Sequence, residues 1–186
     1  MDIDVGIWLE TDGVEFFKSI GMKEGQRVLD FGCGEGHYSV PAAKLIGEKG
    51  KLYAIDKDRQ VLDRLADIKE KNKLGNIEVM QTESNISLKK NSIDFILCYD
   101  VIHYIKQRST LYHEFHNVLK QNGVFSLYPK HNKDDYPLME LAHLKLESII
   151  GEVEEEGFSL QDKLFKRLIH DDNYNDGYIL NFGKRC

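Results

Sequence analysis

Gly32, Gly34 and Gly36 stand at alternate positions, directly after an apolar run and before an amphipathic one. A strand that ends in such a turn and leads into a helix lets backbone approach a ligand closely and leaves N–H groups facing its polar atoms. That geometry suits an anionic or zwitterionic small molecule. The spacing is Gly-x-Gly-x-Gly with His37 next, which is not the Gly-x-Gly-x-x-Gly of dinucleotide-binding proteins. Taken alone, the turn is a weak signal, since glycine also serves merely structural tight turns. Asp56 closes the second apolar run, so its carboxylate belongs at the carboxyl edge of the sheet, where it can accept hydrogen bonds from both hydroxyls of a ribose. Charge-assisted bonds of that kind are worth about 1.5–3 kcal/mol each, enough to orient a nucleoside. Helix capping is the other use of such an aspartate, but Asp58 is better placed for it.

A second set of residues could move a proton. His103, Lys130, His131 and Tyr136 follow the fourth and fifth apolar runs, and so should ring the open edge of a ligand pocket. His113 and His116 share a helical side by their i, i+3 spacing, yet no third ligand of evident spacing accompanies them. No metal site is expected. Trp8, Phe16 and Phe17 precede the first run; Phe17 reads as helix core, and Trp8 as the better candidate for a lid over a bound ligand.

The elements that must position these residues alternate as β and α from Arg27 onward. Expected strands are Arg27 to Phe31, Lys51 to Ile55, Ile77 to Met80, Ile93 to Cys98 and Gly123 to Tyr128. Helices are expected from His37 to about Gly47 and from an Asp58 N-cap through Val61, Leu62, Leu65 and Ile68. A further helix carries Leu111, Phe115, Val118 and Leu119 on one face. One long or two short helices cover Leu138 to Glu156, with Gly157 as the stop. Phe158 to Ile169 and Tyr178 to Phe182 then read as a hairpin joined by the polar loop from His170 to Gly177, and an antiparallel strand would close the sheet.

Val28-Leu-Asp-Phe-Gly-Cys-Gly-Glu-Gly36 followed by Ala54-Ile-Asp-Lys57 resembles the first two motifs of class I S-adenosylmethionine-dependent methyltransferases. The resemblance continues through Asn91-Ser-Ile-Asp94, Val101-Ile-His-Tyr104 and Leu119-Lys-Gln-Asn-Gly-Val124, and is nearest to the small enzymes of ubiquinone and menaquinone biosynthesis. It implies an α/β, Rossmann-like three-layer sandwich with a seven-stranded, mostly parallel sheet of order 3-2-1-4-5-7-6 in which strand 7 is antiparallel. It further implies one domain over 1–186, with 1–26 as an N-terminal lid segment and 27–186 as the core. The cofactor would be S-adenosylmethionine, leaving as S-adenosylhomocysteine. Its methionine part would lie against Asp30, Gly32, Cys33 and Gly34, its ribose on Asp56, and its adenine beside Lys57. Tyr99 would offer its backbone carbonyl. Where the family usually has Gly-Asp-Ala, this chain has Gln81-Thr-Glu83, so Thr82 or Glu83 is expected to meet the adenine amino group.

Departures from the family's branches narrow the acceptor. Amino-methylating nucleic-acid enzymes carry an Asn- or Asp-Pro-Pro-aromatic run where this chain has Cys98-Tyr-Asp-Val101, and Cys98 lacks the preceding proline of the cytosine C5 enzymes. A covalent cysteine step is therefore not expected. The little chain between the fifth strand and the hairpin suits a small acceptor, aromatic or quinone-like, with His103 or His131 as the base where a proton must leave. A protein or RNA acceptor is the enzymatic alternative, and a non-catalytic cofactor-binding module or partner subunit the other class of reading.

Composition sets the outer bounds. With 186 residues, 41% hydrophobic and 30% charged, the chain has the make-up of a globular protein rather than a disordered or fibrous one. A net charge of −6 argues against nucleic acid as the main partner. The odd, scattered Cys33, Cys98 and Cys186 fit reduced thiols, and with no apolar leader or membrane span in view the expected location is cytoplasmic.

Overall fold

Strand β1 (Arg27–Phe31) and strand β2 (Lys51–Asp56) are apolar on both faces, with Val28, Leu29, Leu52, Ala54 and Ile55 almost wholly buried, as parallel strands between helical layers must be. The computed structural model describes residues 3–82 and 85–185. Their sheet has seven strands in the order β3-β2-β1-β4-β5-β7-β6, with β3 (Ile77–Gln81), β4 (Ile93–Tyr99), β5 (Leu119–Tyr128), β6 (Phe158–His170) and β7 (Asn173–Lys184). β1 pairs with β2, β2 with β3 and β4 with β5 in parallel; β7 runs antiparallel to β5. Helices flank the sheet, and the order is the expected one.

The chain forms two compact units. The first comprises Met1–Glu83 and Leu168–Asn175. Its N-terminal segment is helical: α1 (Ile3–Ile7), a π-helical turn (Trp8–Asp12) and α2 (Gly13–Ser19). Trp8 is enclosed rather than open to solvent, with 1% exposure; its indole N–H donates to the His37 carbonyl at 2.8 Å and its ring packs edge-on against Tyr38. Phe17 is fully buried, as expected of a core residue. Helix α3 (Ser39–Ile46) ends at Gly47, and α4 (Arg59–Lys71) starts where Asp58 accepts a bond from the Gln60 amide at 2.8 Å, the expected cap.

The second unit comprises Ser84–Arg167 and Asp176–Cys186. Phe125 on β5 is its centre, with Phe115, Phe158 and Phe182 at ring distances of 5.0, 5.4 and 5.7 Å. Helices α5 (Arg108–Val118) and α6 (Leu146–Glu155) are joined by a two-pronged bond from the Arg108 guanidinium to Glu152, at 2.8 and 2.7 Å. Three elements differ from expectation. Strand β5 begins at Leu119, because its residues before Gly123 bulge between Ile93 and Phe95 of β4. The polar segment from His170 to Gly177 is mostly strand: only Asp171 and Asp172 turn, both with positive φ (46° and 63°), the geometry of a two-residue hairpin. Between residues 138 and 146 there is a short 3-10 turn (Met139–Leu141) ahead of α6, so the two-helix reading reduces to one helix and a turn. No helix among the described residues is long and apolar enough to cross a membrane.

Candidate functional site

In the first unit the turn after β1 is held by β2. The amides of Gly32 and Cys33 both donate to the Ile55 carbonyl, at 2.8 and 3.0 Å. The Asp56 carboxylate accepts from the Gly34 amide at 3.0 Å through one oxygen and from the Asp58 amide at 3.0 Å through the other. A carboxylate has about four lone-pair sites, so both oxygens keep capacity for a ligand's hydroxyls. Gly32, Gly34 and Gly36 all adopt positive φ (74°, 51° and 90°). They do so for different ends: a side chain at Gly36 would drive into Leu65 of α4, whereas one at Gly34 would meet nothing within 4 Å. Gly36 serves packing, and Gly34 faces open space where backbone can meet a ligand.

Asp30, at the end of β1, is 2% exposed and accepts a bond from the Ser39 hydroxyl at 2.6 Å. Burial pushes its carboxyl up to about 7; the Ser39 bond pulls the other way, and the negative Asp56 adds to the rise. Neither acid has a lysine or arginine partner among the described residues. Two such carboxylates beside an open glycine turn fit a ligand that combines an ammonium group with a ribose. Cys33 is buried, and burial with the charges of Asp30 and Asp56 pushes its thiol far up, so it stays a neutral thiol. At the neighbouring strand ends, the Thr82 amide donates to the Asp56 carbonyl at 3.1 Å and the Gln81 side chain to the Lys57 carbonyl at 3.0 Å. The unit thus brings Asp30, Gly32, Cys33, Gly34, Asp56, Lys57 and Thr82 to one set of strand ends. Glu83 and Cys186 lie outside the described residues. Ser39, which orients Asp30, was not among the expected site residues; its only signal was a hydroxyl at the first turn of the following helix.

In the second unit, Tyr99 ends β4 with its side chain buried and bonded to the Ser126 hydroxyl at 2.7 Å, which leaves the backbone as the part of this residue suited to a ligand. Asp100 follows, with φ 58°, and its Oδ1 lies 3.6 Å from His103 Nδ1 and 3.6 Å from His131 Nε2. The two imidazoles meet edge to face at 4.7 Å. His131 also has positive φ (67°), and its Nδ1 is 2.9 Å from the Tyr136 carbonyl, so that nitrogen carries the proton and Nε2 faces the carboxylate. Non-glycine residues in this left-handed region are strained by about 1–3 kcal/mol each, a cost that recurs at functional sites. Sequence reasoning named both histidines but missed Asp100 between them. His113 sits 3.8 Å from Glu156, and His116 packs on Phe158.

Residues 22–173 match the family described as "Methyltransferase domain". Among curated relatives, the sterol 24-C-methyltransferase of Gibberella zeae is 27% identical over 159 residues, covering 83% of this chain and 41% of its own length. The "Probable cobalt-precorrin-6B C(15)-methyltransferase (decarboxylating)" of Sulfolobus acidocaldarius is 39% identical over 66 residues, 36% of this chain and 34% of its own length. The chain therefore spans well under half of the length of these relatives. A SAM-dependent methyltransferase from Aquifex aeolicus superposes with a TM-score of 0.77 at 25% identity, covering 95% of this chain and 92% of that one. One from Methanosarcina mazei gives 0.72 at 19%, covering 91% and 97%, and supports the fold. With a family match over most of its length and the glycine turn, acidic partner and sheet order just described, the chain belongs to the methyltransferase-domain family and has the class I, S-adenosylmethionine-dependent form of it.

Proposed function

We propose that this chain transfers the methyl group of S-adenosylmethionine to a small-molecule acceptor, aromatic or quinone-like in character. The observation that carries the reading is the turn from Asp30 to Gly36, three left-handed glycines of which Gly34 donates its amide to the Asp56 carboxylate, an acceptor that keeps free lone pairs. Two relatives named for sterol and precorrin methylation support a small acceptor. In this account Asp30, Gly32, Cys33 and Gly34 receive the methionine end, Asp56 the ribose, Lys57 with Thr82 or Glu83 the adenine, and Tyr99 contributes its backbone carbonyl.

When bound, the cofactor supplies a methyl group already activated on a sulfonium. The protein's task is then orientation and exclusion of water, and well-oriented reactions gain roughly 7–11 kcal/mol from positioning alone. His103 and His131 serve as the base where the acceptor must lose a proton. A general base contributes on the order of 10²–10⁴-fold; the contact from His131 Nδ1 to Tyr136 fixes the tautomer, and the Asp100 carboxylate stands 3.6 Å from the Nε2 that would take the proton.

The test is an assay of a metabolite extract with methyl-labelled cofactor, read by mass spectrometry. A labelled small-molecule product is expected. Label found only in RNA or protein would overturn the small-acceptor reading, and cofactor binding without label in any fraction would favour a non-catalytic module.

A further inference from the structure

A cavity of about 440 Å³ lies within the second unit, and none of its lining residues has a part in the reaction proposed above. That volume is in the range of small-molecule sites. One wall is aromatic: Phe165 on β6 and Tyr178 on β7 pack edge to face at 5.1 Å and are 62% and 44% exposed, more than such rings usually show without a partner. The other lining is acidic, with Asp134, Asp135, Glu147 and Asp176 against the single cation Lys163.

Two of the four acids are neutralised from within. Asp135 accepts from the buried Lys130 ammonium at 2.6 Å, and Glu147 from Lys163 at 3.3 Å. Asp134 and Asp176 have no ion-pair partner among the described residues. Tyr128 lines the same cavity, 1% exposed; its hydroxyl makes no hydrogen bond among the described residues and rests against Gly177, where a Cβ would stand 3.0 Å from it. Burial, with the charges of Asp135, Asp100 and Asp176, pushes this phenol upward, so it remains a neutral hydroxyl able to accept a bond. Lys163 shows how the cavity treats a cation: its ammonium stands 5.0 Å from the centre of the Tyr178 ring while pairing with Glu147. A ring face plus a carboxylate is the arrangement that binds organic ammonium groups.

We propose that this cavity is a second binding site, one for a small organic ammonium ion, whose apolar body packs on Phe165 and Tyr178 and whose ammonium is held by Asp134 and Asp176 near the Tyr128 hydroxyl. The negative lining excludes anions, and the aromatic wall gives an organic cation a contact that a hydrated metal ion cannot use.

Calorimetric titration with phenethylammonium, phenethyl alcohol, phenylacetate and magnesium chloride tests it. The ammonium should bind at least about tenfold more tightly than the alcohol, since its charge-assisted bond to a carboxylate is worth more than about 1.4 kcal/mol over what a neutral hydroxyl gains. Asp176→Asn, Asp134→Asn and Tyr178→Leu should each weaken it severalfold while S-adenosylhomocysteine affinity and the melting temperature stay unchanged. Equal binding of alcohol and ammonium, indifference to all three substitutions, displacement by S-adenosylhomocysteine, or magnesium binding as tightly would each overturn the proposal.

Discussion

The glycine turn of the first unit and the histidine pair of the second place residues at strand ends by opposite means. After β1, left-handed backbone falls on glycines, where it costs nothing sterically, and amides do the holding: Gly32 and Cys33 bond to Ile55, and Gly34 to Asp56. After β4 and β5 the left-handed residues are Asp100 and His131, and side chains do the holding. A site built from backbone leaves its mark in residue type, because only glycine tolerates those angles cheaply. A site built from side chains on strained loops leaves almost none.

The largest expected effect is at the turn's packing glycine. Gly36→Ala places a Cβ against Leu65 and holds alanine at φ 90°, so stability should fall by about 3 kcal/mol, summing overpacking and backbone strain, as read by chemical unfolding. A loss under about 0.5 kcal/mol would mean that the turn adapts freely and its angles are not imposed. Next is Asp56→Asn, which withdraws the charge that the Gly34 and Asp58 amides and a ribose would share. Cofactor affinity should drop by about 10- to 100-fold in calorimetry, the equivalent of one charge-assisted bond. Unchanged affinity would remove Asp56 from the site. The smallest effect belongs to the second region: Asp100→Asn should lower turnover by about tenfold, because a histidine that takes up the acceptor's proton loses the carboxylate beside it. Unchanged turnover would leave Asp100 and the two histidines with a purely structural role.

The same contrast explains what could be read from the residues alone. β1, β2 and the Asp58 cap were legible because hydrophobic pattern and capping chemistry are local. The tight turn at Asp171 and Asp172 was not, since the polar residues beside it pair in β6 and β7 through backbone and look like loop by composition. Likewise β5 extends back to Leu119 only because a bulge against β4 absorbs the intervening polar residues. Ser39 and Asp100 were missed for one reason: each acts on a residue distant along the chain or folded back by an unusual φ, and no period or motif marks them. Trp8 stands out by its type, but its burial against Tyr38 and its bond to the His37 carbonyl are contacts with residues far along the chain, made from a π-helical turn that the sequence pattern does not announce.

The measurement that bears most directly on the central claim, that the Asp30 to Gly36 turn receives the cofactor's methionine end, is the pH dependence of S-adenosylhomocysteine affinity. Asp30 is held near 7 by burial, so below that pH the free protein carries a proton that the ligand's ammonium must displace. Affinity should therefore rise with pH, by up to about tenfold per unit below 7, where binding releases up to one proton per site, then level off above it, and Asp30→Asn should abolish the slope. Affinity independent of pH between 5.5 and 8 in the unaltered chain, on the order of the same value in Asp30→Asn, would contradict the account.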